Sequence, residues 1–232
     1  MPRYLLIIIS GLFCFPLMAQ APFSYRNDKW ELSFFTGSSH RGDDIYVTPL
    51  EGGGTRDVGL RFASGYLIGG RITENLGQHF GAELDYSLSN QPVQFRNLAP
   101  LIPAVNFDHR VHSIAYTVLF YGLKRKNRIR PYAAIGPGIS LYDSFGDLEG
   151  VAATKGLTLK DRWKAAFIVG GGVKFRVGEQ VGLRFDVRDH ITGVPDFGFP
   201  ERGTAQDPGF RPEGQLHNWQ FGVGVFYSFS GR

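Results

Sequence analysis

Past its first residues the chain holds no cysteine; the single one, Cys14, lies in an apolar run that ends at Met18. A chain that cannot be cross-linked is not a small stapled secreted domain, so sheet and core alone must hold it together. Nor does any stretch after residue 21 stay apolar for the roughly 20 residues a transmembrane helix needs. There is no internal repeat and no sign of a second domain. An excess of one charge is missing as well, because 25 lysines and arginines, one of them Arg3, face 21 acids. The basic residues alternate with acids along strands instead of clustering with stacking aromatics, so no nucleic-acid partner is expected. No spacing of histidines or acids matches a metal-ligand motif, and no cofactor is expected.

What is present begins with a targeting segment: Arg3 as the positive n-region, the apolar run from Tyr4 to Met18, and Ala19-Gln20-Ala21 as a small-residue cleavage site. Residues 1–21 are therefore read as a signal peptide and 22–232 as one domain. The 31 glycines and 14% aromatics of the whole chain suit sharply turned sheets with aromatic belts, in water or in a membrane.

The clearest pattern is a hairpin from Trp163 to Arg188, turning at Gly178, Glu179 and Gln180. Val181, Leu183, Phe185 and Val187 share one face, and Gly182, Arg184, Asp186 and Arg188 the other, which is the period of a strand and not of a helix. In the first arm Trp163, Ala165, Phe167, Val169, Val173 and Phe175 oppose Lys164, Gly170, Gly172, Lys174 and Arg176. The same alternation predicts strands over Trp30–Gly37, about Val58–Ile72, Phe80–Leu88, Arg110–Tyr121, Pro131–Tyr142, where Pro137 suggests a bulge or irregular pairing, and His217–Phe229. Long loops fill 38–57, 90–108, 143–161 and 190–216; the other connections are short, including the basic turn from Lys124 to Arg130.

Eight strands with alternating long and short connections predict an eight-stranded antiparallel up-and-down barrel. Volume decides which face points out. An interior of eight strands only just holds its own side chains, and four or five large apolar residues per strand would overfill it. The apolar face must meet lipid. The glycine-and-charge face suits a narrow lumen in which Gly170, Gly172, Gly222 and Gly224 make room for arginines. About ten residues at roughly 3.4 Å each, tilted near 45°, rise about 24 Å, close to the apolar band of such barrels. Trp30, Tyr121, Tyr132, Tyr142, Trp163, Trp219 and Tyr227 fall near strand ends, where an interfacial girdle would stand.

At the C-terminus Trp219, Phe221, Val223, Val225, Tyr227 and Phe229 alternate up to an aromatic close, followed by Ser230, Gly231 and Arg232. With the signal peptide and the loop pattern, the chain resembles the OmpA/OmpX-type small outer-membrane beta-barrel proteins over nearly its whole length. The resemblance implies a cell outer-membrane location, recognition of the last strand by the barrel assembly machinery, and a monomer surrounded by outer-membrane lipid. The expected function is structural or surface-interacting, through four long extracellular loops that meet an extracellular ligand the sequence does not name. The alternatives are a narrow pore for small solutes, a lipid-modifying barrel enzyme, and a secreted lipocalin-like binding barrel.

The candidate site is a lumen polar network of Glu31, Arg61, Arg71, Glu83, Asp85, Lys174, Arg184, Asp186 and Arg188, closed because charges in a narrow lumen must pair; Lys164 and Arg176 share that face. No catalytic residue is assigned: a lipid-modifying barrel needs a serine and a histidine together at the lipid face, and the adjacent His112 and Ser113 point to opposite sides of a strand. His40, His109, His112, His190 and His217 lie in or beside the long loops near Asp43, Asp44, Asp108 and Asp189. Arg41-Gly42-Asp43 looks like an integrin-binding tripeptide, three residues that recur by chance.

Overall fold

The computed structural model describes residues 28–100, 102–145, 160, 162–204 and 206–230; the targeting segment and most of the third long loop lie outside them. Among the described residues the chain is all strand: β1 (Trp30–Arg41), β2 (Asp43–Pro49), β3 (Thr55–Phe62), β4 (Gly65–Glu74), β5 (Phe80–Asn90), β6 (Val93–Ala99), β7 (Ile102–Tyr121), β8 (Ile129–Phe145), β9 (Arg162–Arg176), β10 (Val181–Gly193) and β11 (Gln215–Phe229). Every pairing between these strands is antiparallel. Eight strands close a ring in the order β7, β5, β4, β1, β11, β10, β9, β8, with β8 returning to β7. β1 and β11 join the two ends of the chain, Trp30 opposite Phe229.

The outward face is apolar, as the volume argument requires. Phe34 is 62% exposed, and Ile68, Tyr86, Ile114, Phe167, Phe185 and Phe221 stand in the same row. Unpaired apolar rows of this size are stable only against lipid. Inward stand the polar partners of the same alternation, from Glu31 and Ser33 on β1 to Gln220 and Ser228 on β11.

Three details of the sequence reading are corrected and one is narrowed. The single strand expected over Val58–Ile72 is two, because the chain bends at Ala63 and Ser64; β4 joins the barrel and β3 leaves it. Three of the long loops are largely folded. β2, β3 and β6 form a second sheet with the first half of β7, and the run Gly52-Gly53-Gly54 is the β2–β3 turn, with φ of 88°, 100° and 92° that side-chain-bearing residues avoid. Of the bulge or irregular pairing that Pro137 suggests, it makes the second: Ala115 faces Gly138 and Val118 faces Ile135 in one register, and the ladder to β7 skips only Tyr116 and Thr117. A proline without an N–H omits rungs without shifting a strand. Lastly, of the seven girdle aromatics, Tyr121, Tyr132 and Tyr142 are buried and face inward, whereas Trp163, Trp219 and Tyr227 face out.

The second sheet caps the end of the barrel away from Trp30 and Phe229. β7 runs 20 residues, about twice what a tilted strand needs to cross a bilayer, and its outer half carries the cap. Leu60, Phe62, Phe95, Phe107, Phe197 and Phe210 form one core with Tyr142 and Leu216. Phe95 is the centre, with ring centroids 4.9 Å from Phe210, 5.1 Å from Phe199 and 5.9 Å from Phe197. Phe197 keeps a left-handed φ of 52°, a strain of about 1–3 kcal/mol offset by its packing on Phe95, Phe107 and His109.

Candidate functional site in the barrel lumen

The lumen network begins with glycines that leave space. A Cβ on Gly172 would stand 2.6 Å from the Tyr132 hydroxyl and 2.7 Å from Asp186 Cβ, so the absence of a side chain there lets Tyr132 and Asp186 point inward. β5 and β10 are diametrically opposed, with three strands between them on either side of the ring. A bond between their side chains therefore spans the barrel.

Two arginines make such bonds. Arg184 on β10 donates from Nη1 to Glu83 Oε2 at 2.5 Å and from Nη2 to Oε1 at 3.0 Å, a bidentate pair with β5. Arg188 donates from Nη2 to the same Glu83 Oε1, and from Nε to Asp186 Oδ1 at 3.1 Å. Its Nη1 lies 3.4 Å from Asp85 Oδ2. Arg71 on β4 donates to Asp85 and, from Nη1, to Asp186 Oδ2 at 3.0 Å. Thr73 donates to Glu83 Oε2 at 2.6 Å, and Tyr132 accepts from Arg184 Nε at 2.8 Å. Three guanidiniums thus face three carboxylates, all buried. Charge-assisted and bidentate bonds are the strongest a protein makes, and desolvated ions persist only when so paired.

Toward the end away from the cap Lys174 donates to Glu31 and, at 2.9 Å, to the Tyr121 hydroxyl. Asn75 Nδ2 donates to Glu31 Oε1 at 2.9 Å, and Arg176 comes within 4.0 Å of that oxygen. Arg130 donates to Asn75 Oδ1 at 2.8 Å and lies over the Tyr121 ring at 3.3 Å; Arg125 donates to the Asn75 carbonyl at 2.9 Å.

Of the expected network, Glu31, Arg71, Glu83, Asp85, Lys174, Arg184, Asp186 and Arg188 are brought together in the lumen. Arg61 is not: it is exposed on β3, across from Asp43 in the cap sheet, because β3 lies outside the ring. Lys164 is half-buried near the outer end, apart from the network. The sequence reading missed Tyr121, Tyr132, Asn75, Arg125 and Arg130. Tyr132 shares the parity of inward Ala134 and Gly136 and is legible there; Arg125 and Arg130, from the basic turn, are buried.

The other candidates separate. Ser113 points inward to Ser140 Oγ at 2.8 Å, while His112 faces out to the Tyr86 hydroxyl at 2.9 Å. His40 meets Ser64 and Ser38 at 2.8 and 2.9 Å, and His217 pairs with Asp189 at 2.5 Å. His190 is buried, and so is His109, whose Nδ1 donates to the Gln91 carbonyl at 3.2 Å. Burial, reinforced by the nearby Arg41 guanidinium, holds His109 well below the ordinary imidazole range. Arg41 is packed over the rings of Phe62 and Tyr142, 4.9 and 5.2 Å away, and so is withdrawn from any adhesive tripeptide.

A closed ring with a lipid-facing apolar wall and an ion-paired interior defines an integral membrane β-barrel. The chain belongs to the family described as outer membrane protein beta-barrel domain, which matches residues 11–229. That membership puts it in the outer membrane and sets aside the secreted lipocalin-like alternative, which needs its apolar face inside. Among solved structures it is similar to the outer membrane protein OprG of Pseudomonas aeruginosa, with 15% identity over 88% of this chain and 98% of that one and a TM-score of 0.59. It is also similar to the outer membrane protein AlkL (17% identity, 90% and 94% covered, TM-score 0.47) and to Neisserial surface protein A (13%, 86% and 96%, 0.46). No curated protein sequence matches it.

Proposed function

We propose that this protein is a sealed outer-membrane barrel whose work is structural or surface-interacting and is carried by its folded extracellular cap, not by passage of solutes. The observation that carries the reading is the bidentate pair between Arg184 and Glu83, joining opposite walls of the ring. At eight strands the interior is filled by side chains, while water-filled channels belong to barrels of about sixteen. The targeting segment at 1–21 supplies export, β11 the strand read by the barrel assembly machinery, and the outward apolar rows the contact with lipid as a monomer. Planar bilayers test the seal. Purified wild type should give no large, stable conductance, and Arg184→Ala combined with Asp186→Ala should raise the leak. Stable, large wild-type conductance overturns the reading in favour of a pore for small solutes.

A further inference from the structure

Arg41 ends β1 on the inward side of the ring and is only 9% exposed. Its guanidinium lies over the rings of Phe62 and Tyr142, both members of the cap core. Ring faces attract a cation but supply no acceptor atom, and Arg41 Nε and Nη1 are buried without a hydrogen-bond partner. Among the described residues no carboxylate comes to it. Asp85 on β5 is held by Arg71 and Arg188, and Asp189 on β10 turns outward to His217. This is the reverse of the lumen network, where three guanidiniums face three carboxylates. A desolvated charge persists only when it is paired, so Arg41 calls for a negative charge that the described residues do not supply.

The neighbours of Arg41 add donors. Asn218 on β11 is its register partner, and His190 on β10 is the register partner of Asn218. The three therefore stand side by side on one rung of adjacent strands, roughly 4.8 Å apart, and all are buried. Ser39 donates to Asn218 Oδ1 at 2.6 Å, which leaves Asn218 Nδ2 buried with no acceptor. Both nitrogens of His190 are buried without a partner as well, and in either tautomer one of them carries a hydrogen. Buried donors are nearly always satisfied in folded proteins. Here they are orphaned together, and the charge of Arg41 is felt at both His190 and His109.

We infer that this rung is a binding site for one small monovalent anion, a halide or a short carboxylate, held by Arg41 Nε and Nη1, Asn218 Nδ2 and the ring N–H of His190. The charge follows from the single guanidinium: His109, which faces it, donates its Nδ1 hydrogen to the Gln91 carbonyl and stays neutral, so one negative charge balances the site and two do not. The size follows from the rings that close the rung on its cap side. His109 stands 5.4 Å from Tyr142 and 5.9 Å from Phe62, and a ligand of more than a few atoms has to displace them. Because Arg41 belongs to a ring strand and packs on β3 of the cap, the bound anion fastens cap to barrel and stabilises the cap by mass action.

The test uses the full protein in lipid nanodiscs, with nitrogen-labelled arginine and histidine, in sodium gluconate, an anion too large for the rung. Replacing gluconate by chloride or by formate at constant ionic strength should shift the Arg41 Nε resonance and a His190 ring resonance saturably, and raise the midpoint of cap unfolding. Sulfate, being divalent, should do neither. Arg41→Met keeps a long side chain without the charge; its cap midpoint should be the same in chloride and gluconate, and the chloride needed to move the His190 resonance should rise about tenfold or more, the loss of one charge-assisted hydrogen bond. Arg61→Gln, at an exposed arginine of the cap, should respond as wild type does. An Arg41 resonance in the wild type that ignores chloride and formate, or drifts without saturating, overturns the inference whether or not Arg41→Met folds. Equal responses to chloride in Arg41→Met and wild type would place the anion elsewhere and overturn it too, as would sulfate acting as well as chloride.

Discussion

Glu83 accepts hydrogen bonds from Thr73, Arg184 and Arg188, which makes it the residue on which the lumen network turns. Its removal leaves two buried guanidiniums short of an anion, and breaking such a pair costs about 3–5 kcal/mol. Glu83→Ala should therefore lower barrel stability by that order, read as a shift in the denaturant midpoint in lipid vesicles. Replacing Glu83 together with Arg184 by apolar residues of similar volume should cost less than Glu83→Ala alone, since it removes a desolvated charge at both ends. Equal losses would mean that the walls are held by packing and not by the pair. At this scale the sequence was nearly sufficient: alternation assigned eight of nine network residues to the inward face, because parity needs no partner. Arg61 failed since parity says which side of a strand a residue takes, not which sheet the strand joins.

Among the elements, β7 decides the most. Its inner part, from Arg110 to Tyr121, pairs with β5 and β8 in the ring, and its outer part, from Ile102 to Phe107, pairs with β6 in the cap. The segments at 90–108 and 190–216, read as long loops, pack together around Phe95 as a hydrophobic core. Phe95→Ala should cost the cap about 3–5 kcal/mol, the usual loss for a buried aromatic. Deleting Val93–Val105 should expose the remaining core and let protease cut within 194–214, while the ring still inserts because its ladders are untouched. Protease resistance of 194–214 in that deletion would show that the cap does not depend on β6. These segments were hard to read because a strand only four or five rungs long, interrupted by Pro92 and Pro100, has too little periodicity to stand out from a loop.

Taken whole, the molecule is two cores of opposite design on shared strands: a polar interior wrapped by an apolar wall, and an apolar cap with a polar surface. Two unfolding transitions should follow, and pH should move the first. His109 stands on β7 beyond the lipid-facing row that begins at Ile114, and its burial keeps it neutral in the folded cap. An unfolded cap takes up that proton below about pH 6.5, so cap stability is full above that value and falls with acid by up to about 1.4 kcal/mol per pH unit. Thermal scans between pH 7.5 and 5.5 should show the first midpoint falling, and His109→Phe should flatten the slope. An unchanged slope in that variant would assign the acid sensitivity to another group.

The sequence by itself determined the class of fold, the direction of the apolar face and most of the inward charges. Each follows from two-residue periodicity, strand length and the volume of an eight-stranded interior, which are local or additive quantities. Only the tertiary structure decided that β3 belongs to a cap, that Tyr121 meets Lys174 and Tyr132 meets Arg184, and that Arg184 meets Glu83 across the ring. Those outcomes depend on contacts between residues more than fifty positions apart, or on which of two sheets receives a strand, and no local pattern carries that information. The rung of Arg41, Asn218 and His190 is of the same kind: parity turns each side chain inward, but only the register of three strands sets them side by side.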